Sequence, residues 1–257
     1  MLMNSFFSFD ILRKIVALSI PVLLVLSFTG KKSDDPSRTI ILIPYQPMMH
    51  LSDADAEIAE HSKIGVKKVR MHMRNSITEK MSFALRDNYG VRLLTEAGTS
   101  KEKDDLNNFY DSENFSLSKR ESVRPVLSAD TSRGNPFFGI FKENSKTDYS
   151  SSYMNVSLSK PKLFQTIAND YEADYFLVLT QLEIKTHYDE CIDIASGIYR
   201  REFRLHYTVF DAGGNQVGGS YEKVDSGSDV NSVNKITGNV FPELVKKVSD
   251  HVAQLIR

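Results

Sequence analysis

The densest set of side chains able to do chemistry is His187-Tyr-Asp189-Glu190-Cys191-Ile-Asp193. Imidazole, thiolate and carboxylate are the common ligands of divalent cations. In an extended segment alternate residues share a face. That geometry would gather His187, Asp189, Cys191 and Asp193 into a metal cluster. The spacing matches no closed zinc pattern, which pairs Cys and His at set intervals. A solvated loop between two strands accounts for the same residues. Cys191 is the single cysteine, and no flanking signature marks it as a nucleophile. There is no Gly-x-Ser-x-Gly, and neither a Walker A loop nor a Gly-x-Gly-x-x-Gly follows a strand. Gly213, Gly214, Gly218 and Gly219 read as turn and bulge residues. The expectation is a protein that is not an enzyme and carries no cofactor.

Recognition surfaces are easier to find than catalytic ones. Pro44-Tyr45-Gln-Pro-Met48-Met49-His50-Leu-Ser-Asp53 leaves a buried strand and enters a helix N-terminus. In open α/β sheets, ligands favour the carboxyl ends of strands. Exposed Met and Tyr make adaptable contacts. Tyr45, Met48, Met49 and His50 are therefore candidate partner contacts. Phe137, Phe138 and Phe141 form an apolar island in a polar stretch and are candidates for the same reason. Lys67, Lys68, Arg70, Arg74 and Lys80 share the polar side of a helical pattern, which reads as a solvated basic face.

The elements that position these residues follow from periodicity. Thr39-Ile-Ile-Leu-Ile43 is apolar on both faces and predicts a central buried strand. Ser52 is placed to cap a short helix ending near Gly65. A longer helix follows over 66–87, with Val69, Met73, Ile77 and Met81 at helical spacing, and then a short strand, Val91–Leu94. Residues 95–158 turn polar and read as a long insertion without regular structure over much of its length. Pro161 opens a helix through Tyr171. Strands are predicted over 173–185, 198–210 and 216–226, the last two joined by a tight turn at Asp211-Ala-Gly-Gly-Asn-Gln216. The polar segment 186–197 reads as a loop. The C-terminus predicts two helices, or one sharply kinked, with Pro242 starting the second part.

Three segments resemble the small α/β domain of bacterial envelope proteins of the curli-secretion CsgG, LpoB and TolB-N-terminal type. Ile40-Ile-Leu-Ile-Pro44-Tyr45 is similar to its opening strand, proline and aromatic. Ala173-Asp174-Tyr175-Phe-Leu-Val-Leu is similar to its alanine-aspartate-tyrosine segment before a strand. Val209-Phe-Asp211-Ala-Gly-Gly-Asn-Gln-Val217 is similar to its hairpin. The lipobox cysteine of its lipoprotein members is absent, and the stretch 95–158 lies outside the pattern. The resemblance implies a non-enzymatic periplasmic module that binds another envelope protein.

Composition and the N-terminus set the compartment. With 32 basic and 33 acidic residues among 257, the formal net charge is −1, so nothing draws the chain to nucleic acid. Arg13 and Lys14 precede a 14-residue apolar run, Ile15–Phe28. A membrane-spanning helix needs about 20 apolar residues. The run fits a signal-peptide core better, with Ser27 and Thr29 as a weak cleavage site and an uncleaved anchor as the alternative.

Together these features predict residues 1–30 as a signal peptide or N-terminal anchor and 31–38 as a linker. Residues 39–257 would form a single α/β (α+β) domain with a long, partly disordered insertion at about 95–158. About five strands would form a mixed central sheet with helices packed on it and a C-terminal helix closing it. The expected function is a non-catalytic exported protein of a Gram-negative-type envelope, periplasmic or anchored facing the periplasm, that binds or scaffolds another envelope protein. Any membrane association would run through the N-terminal segment. The alternative is a divergent enzyme, or a periplasmic protein binding a small ligand or metal, with a site at the strand ends near residues 45–53.

Overall fold

The computed structural model describes residues 38–119 and 152–256. The expected export segment, nearly all of the linker, and Phe137, Phe138 and Phe141 lie outside the described residues. The described residues all belong to one unit, Asp35–Arg257.

A six-stranded mixed sheet organises this unit. Its main path runs β3 (Gly90–Leu93), β1 (Thr39–Ile43), β6 (Tyr175–Asp193), β7 (Ile198–Asp211) and β8 (Gln216–Gly227). β1 is parallel to both β3 and β6, whereas β6, β7 and β8 form an antiparallel meander. The short β2 (His50–Ser52) adds in parallel to β6 beyond the end of β1.

The apolar runs of β1 and β6 are explained by cover on both faces. Ile40, Leu42, Leu177 and Leu179 face a core shared with α1 (Asp55–Ser62), α2 (Val66–Leu85) and the C-terminal helix α6 (Phe241–Leu255). Ile41, Ile43, Phe176 and Val178 face a second core under α3 (Ser100–Tyr110), α4 (Lys162–Tyr171) and β5 (Ser152–Leu158). Phe164 centres that core, with Phe109 and Phe176 edge-on at 5.6 and 5.0 Å and Phe210 at 4.6 Å between centroids.

The stretch expected as an insertion is structured at both described ends. Thr99 and Glu102 form a reciprocal capping box that starts α3. Leu106 and Phe109 bury one side of that helix. β4 (Glu113–Lys119) then pairs antiparallel with β5 as a separate two-stranded sheet.

The polar segment 186–197 is also not a loop. It continues β6 to Asp193 and turns back into β7. Two smaller differences lie at the helix ends. α1 starts after Ala54 and stops with Lys63 in the left-handed conformation, while Gly65 is extended and precedes α2. At the C-terminus a single turn, α5 (Val233–Lys235), and a π-helical stretch, Ile236–Val240, run directly into α6, with Pro242 in its first turn. No helix among the described residues is long and apolar enough to cross a membrane.

Candidate functional site

The chain leaves β1 at Pro44 and crosses the sheet end as a single 3-10 turn, Pro47–Met49, before entering β2 and α1. A line of polar groups, buried except for Arg70 at its end, fixes this crossing. The Tyr45 hydroxyl lies 3.3 Å from His50 Nδ1, His50 Nε2 lies 3.0 Å from Asp55 Oδ1, and Arg70 Nε donates to Asp55 Oδ2 at 2.6 Å. Burial opposes ionisation of Asp55, but hydrogen bonds from His50, Arg70 and Ser52 outweigh it and hold the carboxyl below its usual range. An ionised Asp55 accepts, so His50 Nε2 carries the proton and Nδ1 accepts from the phenol. Burial raises Tyr45 and keeps it a protonated donor, with Arg74 only partly offsetting the effect.

A second set of bonds ties the crossing to α2 and α3. Arg74 Nε donates to the Tyr45 carbonyl at 2.6 Å, and Nη2 donates to the Tyr110 hydroxyl at 2.7 Å. That hydroxyl donates in turn to the Pro44 carbonyl at 2.7 Å. Gln46 Nε2 donates to the Tyr110 carbonyl at 3.1 Å and to Glu113 Oε2 at 2.6 Å. Burial pushes the Glu113 carboxyl up to about 8.

Tyr45, His50 and Arg74, held by these bonds, form the floor of a cavity of about 840 Å³ between the crossing and the first half of α2. Met48 (73% exposed) and Met71 (50% exposed) stand at its mouth. Lys67, Lys68 and Arg70 add positive charge to the wall. Tyr45 and His50, candidate partner contacts, are buried at 1% and 2% exposure and line the inner part of the cavity. Met49 is partly buried and packs on the core, so Met48 is the exposed member of that set. Arg74, expected on a solvated basic face, is buried because Tyr45 and Tyr110 enclose it. Both ring nitrogens of His50 are engaged, so the His50–Asp55 pair ties the crossing to the start of α1.

The His187 region is rearranged relative to expectation. A register shift between His187 and Cys191 breaks the alternation along β6. Ligand atoms of His187, Asp189 and Glu190 lie within 4.8 Å of one another, while Cys191 and Asp193 are separated from them. Glu190 is gripped by Arg200 through two bonds of 2.6 and 2.8 Å, which hold its carboxyl low. Asp193 accepts from the backbone N–H groups of Ala195 and Ser196 at the turn. Cys191 Sγ lies 3.5 Å from the Ile198 carbonyl.

A second cavity of about 600 Å³ lies on the other sheet face, beyond the β-bulge at Leu179 and Gln181. Gln181, Glu183, Arg204 and His206 line it. His206 Nδ1 accepts from the Met154 N–H at 3.0 Å, so its other nitrogen carries a proton and points toward Glu183 at 3.6 Å. The neighbouring His206 ring holds Glu183 below the usual carboxylate range.

Comparison with known proteins adds little to this geometry. The chain matches no protein-family model and no curated protein. Among solved structures it is similar to the lipoprotein GNA1162 from Neisseria meningitidis at 12% identity and a TM-score of 0.36, covering 84% of this chain and 99% of that one. It is similar to the hypothetical protein CT253 from Chlamydia trachomatis at 12% identity and a TM-score of 0.37, covering 84% of this chain and 98% of that one. Neither likeness, at that score, assigns this chain a function. The resemblance to the CsgG, LpoB and TolB type rests on its sequence segments alone.

Proposed function

We propose that this chain is a non-catalytic, exported cell-envelope protein that binds another envelope protein, and that the cavity between the Pro44–His50 crossing and α2 is its docking groove. One observation carries the reading: an apolar mouth formed by Met48 and Met71 over a floor whose polar groups are already bonded to one another. Such a floor gives shape without reactivity. Flexible thioether side chains at the mouth suit an adaptable protein contact. A concave site with an apolar mouth and a charged wall suits recognition of an amphipathic segment. Export is supported by the basic pair and apolar run at residues 13–28.

The test is affinity capture from crosslinked envelope with the natural chain and with the double variant Met48→Asp, Met71→Asp. The proposal expects specific proteins to co-purify with the first and to be lost with the second. A small molecule or metal retained through native mass spectrometry, with no co-purifying protein, would replace this reading with a ligand-binding one.

A further inference from the structure

The groove is lopsided in charge. Lys67, Lys68, Arg70 and Arg74 line it against a single acid, Glu96. Arg70 is matched from behind by Asp55, which does not line the groove. Arg74 is different. Its side chain is 7% exposed, and two of its nitrogens are fixed to Tyr45 and Tyr110. Both of those acceptors are neutral. The carboxylate paired with its remaining nitrogen, Nη1, is that of Glu96 at 3.2 Å, and the Glu96 side chain is 60% exposed.

A buried cation needs a partner, because desolvation without one is costly. Here the partner reaches in from solvent. On the Glu96 side the pair is open to solvent, where screening and the freedom lost by a mobile side chain weaken its hold. Another carboxylate can therefore exchange with Glu96 while the bonds from Arg74 to Tyr45 and Tyr110 stay in place. The first turn of α2 adds to the positive potential. Gly65 and Val66 line the groove, no side chain caps that end, and its first turn carries no acid. Its helix dipole favours negative charge there.

We infer that the groove's occupant is a protein segment carrying a carboxylate among apolar side chains, and that Glu96 holds, in the free protein, the place this carboxylate takes on Arg74. The inference rests on the protein-binding reading above and adds the chemistry of the partner. Apolar side chains of the segment meet Met48 and Met71. Its acid displaces Glu96 from Arg74 Nη1, and neighbouring acids meet Lys67, Lys68 and the open end of α2.

The test uses the full chain in the envelope, with a photoreactive benzophenone amino acid replacing Met71, and identifies the crosslinked segment by mass spectrometry. The expected adduct maps to a partner segment with Asp or Glu within about three residues of the crosslink. Adding Glu96→Gln should raise capture at limiting partner about two- to five-fold, the release of an exposed pair. Converting the partner's acid to its amide should lower capture at least as much. Glu96 is exposed, so this variant keeps the fold, whereas an Arg74 substitution would undo the floor. An adduct without a nearby acid, or unchanged or reduced capture with Glu96→Gln, overturns the carboxylate inference and leaves the docking groove standing. If partners are captured only from positions outside the groove, or none are captured, the docking reading falls and the inference falls with it.

Discussion

Replacing Asp55 by alanine tests whether the groove floor is a built scaffold. Asp55 is buried, with 6% of its side chain exposed. Its loss leaves the His50 Nε2–H without an acceptor in a covered site, which costs about 1–3 kcal/mol. The pair with Arg70, half in solvent, contributes at most about 1 kcal/mol. Asp55 also lies in the first turn of α1, where an acid contributes about 0.3–1 kcal/mol. The sum is roughly 3 kcal/mol. In a domain of this size, each kcal/mol shifts the midpoint by about 2–4 °C, so thermal unfolding at pH 7 should come roughly 6–12 °C earlier. The pH dependence has a definite sign. Asp55 is held below its ordinary value, so its contribution is present above the unfolded pKa and is lost as pH falls through the lower folded one. The difference between natural and Asp55→Ala proteins should therefore be full at pH 7 and shrink in acid. A midpoint within about 2 °C of the natural protein at pH 7 would refute the scaffold argument.

Other outcomes follow from the same geometry. Glu113 has the opposite sign: its carboxyl is raised to about 8 by burial, so its stability contribution is full below the unfolded value and lost as pH rises through 8. Glu113→Gln should melt near the natural protein at pH 5 and above it at pH 8.5 by differential scanning fluorimetry. Gly214 sits at φ +84°, and a Cβ there would lie 2.6 Å from the Phe164 ring. Gly214→Ala should cost about 1–3 kcal/mol by denaturant unfolding, combining backbone strain with a push into the second core. Met48→Asp with Met71→Asp should leave the midpoint within about 2 °C, because both side chains stand in solvent.

Much of the sheet was legible because its signals are local. β1 reads as buried on both faces, and both faces are covered. The turn after Asp211 and the strands around it also lie where Gly213-Gly214-Asn215 predicts. β6 runs longer than its apolar part because its pairing with β7 outlasts the apolar pattern, and polar residues such as Lys185 and Thr186 still find backbone partners. α3 carried a readable signal, the Thr99-x-x-Glu102 capping box, within a stretch whose polarity points to irregular chain. The burial of Arg74 had no local signal. Helical spacing puts it on the polar side of α2, and the groups that enclose it come from residues 45 and 110, far apart in sequence. The His187 region differs from the sequence reading for a related reason: strict alternation presumes an unbroken strand, and the register shift before Cys191, set by pairing with β7, brings Glu190 to His187 and Asp189 in place of Cys191 and Asp193.

The central claim is that the groove between the Pro44–His50 crossing and α2 docks a protein. Hydrogen exchange of the full chain, alone and saturated with its captured partner, tests it most directly. The account predicts new protection at residues 46–49 and 64–71, with the β6–β7 turn at 193–198 unchanged. Protection confined to that turn or to β8, with residues 46–49 and 64–71 exchanging as in the free protein, would contradict it.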